Sequence, residues 1–311
     1  MIARRKVFQQ LLVRMRRFAQ LPTAVVHPCD AESLRGAVEA AERGLIKPIL
    51  VGPAAKIRRV AAAARVDISG YELVPTEHSH AAAAAAVALV REGRAECLMK
   101  GSLHTDELMA EVVAAETGLR TARRISHVFV LDVPAYPRPL LITDAAINLY
   151  PDLATKVDIV QNAIGLAHAL GIARPRVAIL SAVETVTPKI PSTVDAAALC
   201  KMAERGQITG GILDGPLAFD IAISEAARRA KHVKSRVAGR PDVLIVPDLE
   251  AGNMLVKQLQ YLAGAQAAGI VLGARVPIAL TSRADTAPSR TASAAIAVLL
   301  GAHLKKGRRS P

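Results

Sequence analysis

Residues 23–52 read TAVVHPCDAESLRGAVEAAERGLIKPILVG. Thr23 to His27 is an apolar run of strand length, Asp30 has the character of a helix N-cap, and Ala31 to Arg43 alternates apolar and polar positions at helical spacing before Gly44. Pro48 to Gly52 is then a second buried strand. Strands that are apolar throughout, joined by helices of about ten to fifteen residues, argue a parallel sheet covered on both faces. The alternation continues through a helix at Lys56–Ala64, a strand at Tyr71–Pro75, an Ala-rich helix at Ser79–Glu92, a strand at Cys97–Met99 and a helix from Thr105. A docked helix over Val7, Leu11, Leu12, Met15 and Phe18 precedes it. The expected fold is α/β, two-domain, in αβα layers around a mostly parallel sheet.

Between Gly118 and Pro139 the character changes. ISHVFVLDV and LLITD, joined by the Pro-rich AYPRP, read as an antiparallel hairpin that opens a second domain. A helix at Leu153–Leu170, a strand at Val177–Leu180, a helix at Ser192–Arg205 and strands at Ile208–Asp214 and Pro241–Pro247 follow. The expected division is 1–118 plus 275–311 for the first α/β domain and 119–274 for the second, with an interdomain cleft holding the site.

Four stretches carry chemistry. Lys100, Gly101, Ser102 and His104 follow a strand at its C-terminal end, where open α/β sheets put ligands. Lysine meets a phosphate there as a point charge, and glycine permits close backbone approach. GIVLGARVPIALTSRADTAPSRTASAAIAVLL, residues 269–300, reads as strand, loop and helix, with Pro288 suited to the first helical turn. Its loop delivers Ser282, Arg283 and Asp285 to a helix N-terminus that favours an anion, and Arg290 adds a second planar cation. DGPLAFD at 214–220 places a Gly-Pro turn between two aspartates, and DLEAGN at 248–253 offers backbone amides, Asn253 and, further on, Lys257. Each cluster also has an ordinary reading as a turn or a solvated pair, and residue types alone leave both open.

The net charge of +13 points first to a polyanion partner, but its placement does not. Ten of the 40 basic residues lie in the termini, at Arg4, Arg5, Lys6, Arg14, Arg16, Arg17, Lys305, Lys306, Arg308 and Arg309, leaving 30 against 27 acids in the body. Aromatics at 3% leave few stacking platforms, so no nucleic acid is expected as partner. Cys29, Cys97 and Cys200 form no CxxC, which fits packed thiols in a reducing cytoplasm. No apolar run is long enough to span a bilayer, and no membrane partner is expected. His78 and His80 lack further ligands at a supporting spacing, so no metal site is expected.

In order along the chain, LMKGSLHT at 98–105, LLITDAAIN at 140–148 with Pro151 and Asp152, VAILSAVETV at 177–186, DGPLAFD at 214–220, VLIVPDLEAGNMLVKQL at 243–259 and PIALTSRAD at 277–285 resemble the phosphate acetyl/butyryltransferase family. TDAAIN and TSRAD look more like the butyryl branch than the acetyl branch. The resemblance implies acyl transfer between coenzyme A and inorganic phosphate, acyl-CoA + phosphate ⇌ acyl phosphate + CoA, on a fold similar to the isocitrate and isopropylmalate dehydrogenases. It implies a homodimer or higher homo-oligomer, with acyl-CoA as substrate and no tightly bound cofactor. The family's Ser-Arg pair falls on Ser282 and Arg283. The aspartate that the acetyl enzymes carry seven residues after that serine is Ser289 here, which leaves Asp285 as the expected base. The expected catalytic residues are therefore Ser282, Arg283 and Asp285. Lys100, Gly101, Ser102, His104, Asp144, Asp214, Asn253, Lys257 and Arg290 are expected to bind substrate. Two other readings remain: a non-catalytic CoA-binding paralogue, and a metal- and NAD-dependent dehydrogenase, which lacks a clean GxGxxG or a carboxylate triad.

Overall fold

Asp30 accepts a hydrogen bond from the Ser33 N–H at 2.7 Å and starts a helix where the sequence places one. In the computed structural model, which describes residues 7–15 and 17–307, the chain begins with α1 (Val7–Met15), β1 (Leu21–Val26), α2 (Ala31–Glu42) and β2 (Ile46–Gly52). It continues through α3 (Ala54–Ala64), β3 (Glu72–Pro75), α4 (Ser79–Arg91), β4 (Cys97–Lys100) and α5 (Thr105–Val113). The basic residues Arg4, Arg5, Lys6, Arg16, Arg308 and Arg309 lie outside the described residues.

A second run comprises β5 (Ser126–Asp132), β6 (Leu140–Thr143), α6 (Leu153–Ala169), β7 (Arg176–Leu180), α7 (Pro191–Glu204) and β8 (Ile212–Leu217). Then come α8 (Phe219–Ile223), α9 (Glu225–Ala230), β9 (Val243–Ile245) and α10 (Leu249–Tyr261), before the chain closes with β10 (Gln266–Leu272), β11 (Ile278–Ala279) and α11 (Ala287–Gly307).

Two compact units divide these elements, one formed by Phe8–Arg123 with Ala268 onward, the other by Arg124–Ala267 together with Val7. In the first, β3, β2, β1, β4 and β11 run parallel in that order and β10 pairs antiparallel with β11. The sheet therefore grows from β1 in both directions, and the loops leaving β1 and β4 emerge at its topological switch point. Ala292 to Leu300 of α11 are buried without interruption, so this stretch has no solvated stripe, whereas α2 buries Leu34, Ala37 and Val38 and keeps Glu32, Arg35, Glu39 and Glu42 on a solvated face. With so many alanines, the fit depends on close backbone approach rather than on large side chains.

In the other unit β5 and β6 form the expected antiparallel hairpin, and β6, β9, β7 and β8 run parallel. Phe129, Leu131, Ile142, Leu180, Leu244 and Val256 belong to its core. Here DGP departs from expectation. Asp214, Gly215 and Pro216 are not a turn after a strand but part of β8, with Ala178 opposite Asp214 and Leu180 opposite Leu217 across an irregularity in register. An edge strand tolerates proline because that face of the backbone needs no ladder donor. Asp220 lies in the first turn of α8 and pairs with Lys231 at 3.0 Å.

Candidate active site

β4 ends at Lys100, a lysine only 2% exposed. The next two N–H groups cross to the neighbouring strand end, Gly101 donating to the Val26 carbonyl at 2.9 Å and Ser102 to that of His27 at 3.0 Å. The Ser102 hydroxyl donates to the His27 carbonyl at 2.8 Å, accepts from the Cys29 N–H at 3.2 Å and lies 3.1 Å from His27 Nδ1. These bonds stitch the two loops into one surface. A Cβ on residue 101 would stand 2.3 Å from the Val26 carbonyl oxygen, so the glycine serves this backbone crossing, whereas the sequence reading gave it to a ligand.

The Ser282 loop is equally ordered by its own polar groups. Asp285 Oδ2 accepts from the Ser282 N–H at 2.7 Å, the Asp285 N–H donates to the Ser282 carbonyl at 3.1 Å, and the Ser282 hydroxyl accepts from Ala284 N–H at 3.3 Å. Glu32 Oε2 on α2 accepts from the Ala287 N–H at 3.0 Å, capping the start of α11 from outside. Exposed Arg283 places Nη1 at 3.4 Å from His104 Nε2, at the start of α5.

Arg290 corrects an expectation. It is fully buried, not a side chain open to a phosphate, and its guanidinium donates to the Lys100 carbonyl at 3.1 Å through Nη1 and to the Ser282 carbonyl at 3.2 Å through Nη2. Burial lowers its pKa, opposed by Asp30, Asp285 and Glu32. For Lys100, burial followed by the positive charges of Arg290 and Arg283 brings the pKa down to about 8. Burial and Lys56 also lower His27. His27 and Glu32 were missed in the sequence; the polar HPCD that ends β1 was the available signal for the first.

The other unit places the remaining candidates differently. Asp144, buried at the end of β6, accepts through Oδ1 from Ala146 N–H at 3.0 Å and Ile147 N–H at 3.1 Å, and through Oδ2 from Asn148 N–H at 3.3 Å and Nδ2 at 2.6 Å. This carboxylate organises its loop and has little accepting capacity left for a ligand. Asn253 is not in a loop before a helix: Asp248 caps α10 through the Ala251 N–H at 2.8 Å, and Asn253 lies on the helix, donating to the Ala145 carbonyl at 3.3 Å. Lys257, a turn further along, has its ammonium 5.9 Å from the centre of the Tyr261 ring. Asp214 stands apart, against a concavity of about 630 Å³ that Cys200 and Arg174 also line.

Burial pushes the Cys97 and Cys200 thiols up to about 12 and Cys29 to about 11, which keeps them protonated at neutral pH. His78 accepts from the Ala81 N–H and caps α4. No helix among the described residues is long and apolar enough to cross a membrane.

A doubly wound sheet with Lys100, Arg283, Ser282 and His104 beyond its strand ends defines an α/β protein with a cluster of cationic and polar side chains where such sheets place ligands. Residues 76–298 match the family model described as "Phosphate acetyl/butaryl transferase". The chain is 66% identical over 295 residues to a phosphate acetyltransferase of Rhizobium meliloti, covering 95% of this chain and 93% of the relative. It is 40% identical over 295 residues to a phosphate butyryltransferase of Clostridium acetobutylicum, covering 95% and 98%. The crystal structure of a branched-chain phosphotransacylase from Enterococcus faecalis V583 superposes with a TM-score of 0.78 at 30% identity, covering 90% of this chain and 99% of that one. The chain belongs to the phosphate acetyl/butyryltransferase family, and it is a transferase.

Proposed function

We propose that this chain transfers an acyl group between coenzyme A and inorganic phosphate, with acetyl as the preferred acyl group. The acetyl preference rests on the 66% identity to a protein of that name, against 40% for one named for butyryl. One observation carries the chemical reading: Lys100 and the Ser282–Arg283 loop are tied to a single buried guanidinium, so a cation, a hydroxyl and a second cation converge on the same strand ends.

Arg283, exposed and planar, takes the phosphoryl group and stabilises it as it leaves. Lys100 adds charge from the sheet side. The Ser282 hydroxyl donates to the carbonyl oxygen as it becomes tetrahedral. Asp285 commits Oδ2 to the Ser282 N–H and keeps Oδ1 for the thiol proton of CoA. The thiolate attacks the acyl carbon, the bond from that carbon to the phosphate oxygen breaks, and phosphate departs. Transfer is direct, without an acyl-enzyme, a reading supported by the burial of Cys29 and Cys97, which also raises their thiols. Lys257 and Asn253 are assigned to CoA contacts, and the working form is a cytoplasmic homo-oligomer.

The test is CoA release from acyl-CoA plus phosphate, followed by thiol titration across acetyl, butyryl and branched acyl-CoA. Phosphate-dependent release, highest kcat/KM with acetyl and no need for an added divalent cation or NAD, supports the reading. A strict requirement for either additive overturns it.

A further inference from the structure

The bonds of Arg290 end on two different stretches of the chain. Its Nη1 reaches the carbonyl of Lys100, 190 residues away in sequence, and its Nη2 the carbonyl of Ser282. Its Nε is buried with no hydrogen-bond partner among the described residues, so the side chain forgoes one donor to make this span. The arginine stem lies against Gly36 of α2, where an added Cβ would stand 2.7 Å from Arg290 Cβ and 2.9 Å from its Cδ. Nothing larger than glycine fits there without moving the guanidinium.

We propose that Arg290 is a positioning residue: by donating to the Lys100 and Ser282 carbonyls at once it fixes the separation of the two anion-handling loops, and Gly36 is the vacancy that admits it. A lysine cannot replace it, since one ammonium on a flexible stem does not present two parallel donors in a fixed fork. Arg290 also acts on Lys100 through its charge. The ionisable groups around Lys100 are Arg290 on α11, Arg283 and Asp285 on the loop, and Asp30 at the start of α2.

Three variants separate the brace from the charge: Arg290→Met removes both, Arg290→Lys keeps the charge, and Gly36→Ala displaces the side chain while deleting no functional group. Two readouts are used, acyl-transfer kinetics against pH and hydrogen exchange of peptides spanning 99–103 and 281–286. The kinetic readout rests on the acyl-transfer reading; the exchange readout does not. A misplacement near 1 Å costs on the order of 10²-fold in rate. All three variants are therefore expected to lose about that in kcat, with smaller changes in KM, and to exchange faster in both peptides. In Arg290→Met alone the alkaline limb of the pH profile moves to higher pH, because a positive neighbour of Lys100 is gone.

Should Arg290→Met fail to fold, Gly36→Ala and Arg290→Lys decide. Folded variants with wild-type kcat, or with lost activity but unchanged exchange in both peptides, overturn the proposal. If the wild-type chain shows no acyl transfer, the functional reading falls, and faster exchange in the variants still establishes the brace while unchanged exchange removes it.

Discussion

Asp285 and Ser282 hold each other through two bonds of opposite sense, the Ser282 N–H donating to Asp285 Oδ2 at 2.7 Å and the Asp285 N–H donating to the Ser282 carbonyl at 3.1 Å. The carboxylate thus shapes the turn with one oxygen, and in the proposed mechanism the other takes the thiol proton. In Asp285→Asn the amide oxygen can keep the bond to Ser282 while the base is lost. A general base contributes about 10²–10⁴-fold, so kcat is expected to fall by at least the lower figure with the melting temperature little changed. A pH-rate profile matching wild type would remove Asp285 from proton transfer.

Arg283 is exposed and, among the described residues, its guanidinium bonds to His104 at 3.4 Å, so truncating it leaves the core untouched. Arg283→Ala is expected to lower kcat by about 10²–10³-fold, the cost of losing one donor to developing charge, with a normal thermal melt. Steady-state kinetics alongside calorimetry checks both halves.

Lys100 titrates near pH 8 because burial and its cationic neighbours disfavour the ammonium. It is charged below that pH, so KM for phosphate is expected to rise as pH passes upward through about 8. Its unfolded value lies higher, near 10.4, and the unfolded chain therefore binds more protons between the two. This group consequently makes stability rise with pH from about 8 to about 10. Denaturant unfolding across that window should show the rise in wild type and a weaker one in Lys100→Met.

Gly101 has backbone on the side where a Cβ would go, with the Val26 oxygen at 2.3 Å and the His27 oxygen at 2.5 Å. Gly101→Ala is expected to cost about 1–3 kcal/mol or more, since strand backbone, unlike a flexible side chain, must shift to relieve the overlap. A urea midpoint equal to that of wild type would contradict the crossing described.

Asp144 accepts from four N–H donors in a buried loop. Asp144→Asn can keep the pair on Oδ1, while Asp144→Ala abandons all four. Each buried donor left unpaired costs about 1–3 kcal/mol. The expected order of stability is wild type, then Asn, then Ala, read from equilibrium unfolding.

The alternation of strands and helices was legible because it is local: burial on both faces writes continuous apolar runs such as ILVG into the sequence, and Asp30 marks a helix start within three residues of the N–H it caps. The hairpin of β5 and β6 was legible for the same reason, its two strands being separated only by a short Pro-rich turn. The motifs at 98–105 and 277–285 also marked their segments correctly as belonging to this family. What local pattern could not express was the destination of each polar group. DGP became strand because β7 offered a ladder to pair with, and Asn253 turned to the Ala145 carbonyl because helix α10 carries it there. Arg290 has the composition of a phosphate ligand, yet strand order places the Lys100 carbonyl beside it from 190 residues away, and a guanidinium buried among carbonyls bonds to them. Residue types set which bonds were possible; sheet order, which no short stretch of sequence encodes, chose the partners.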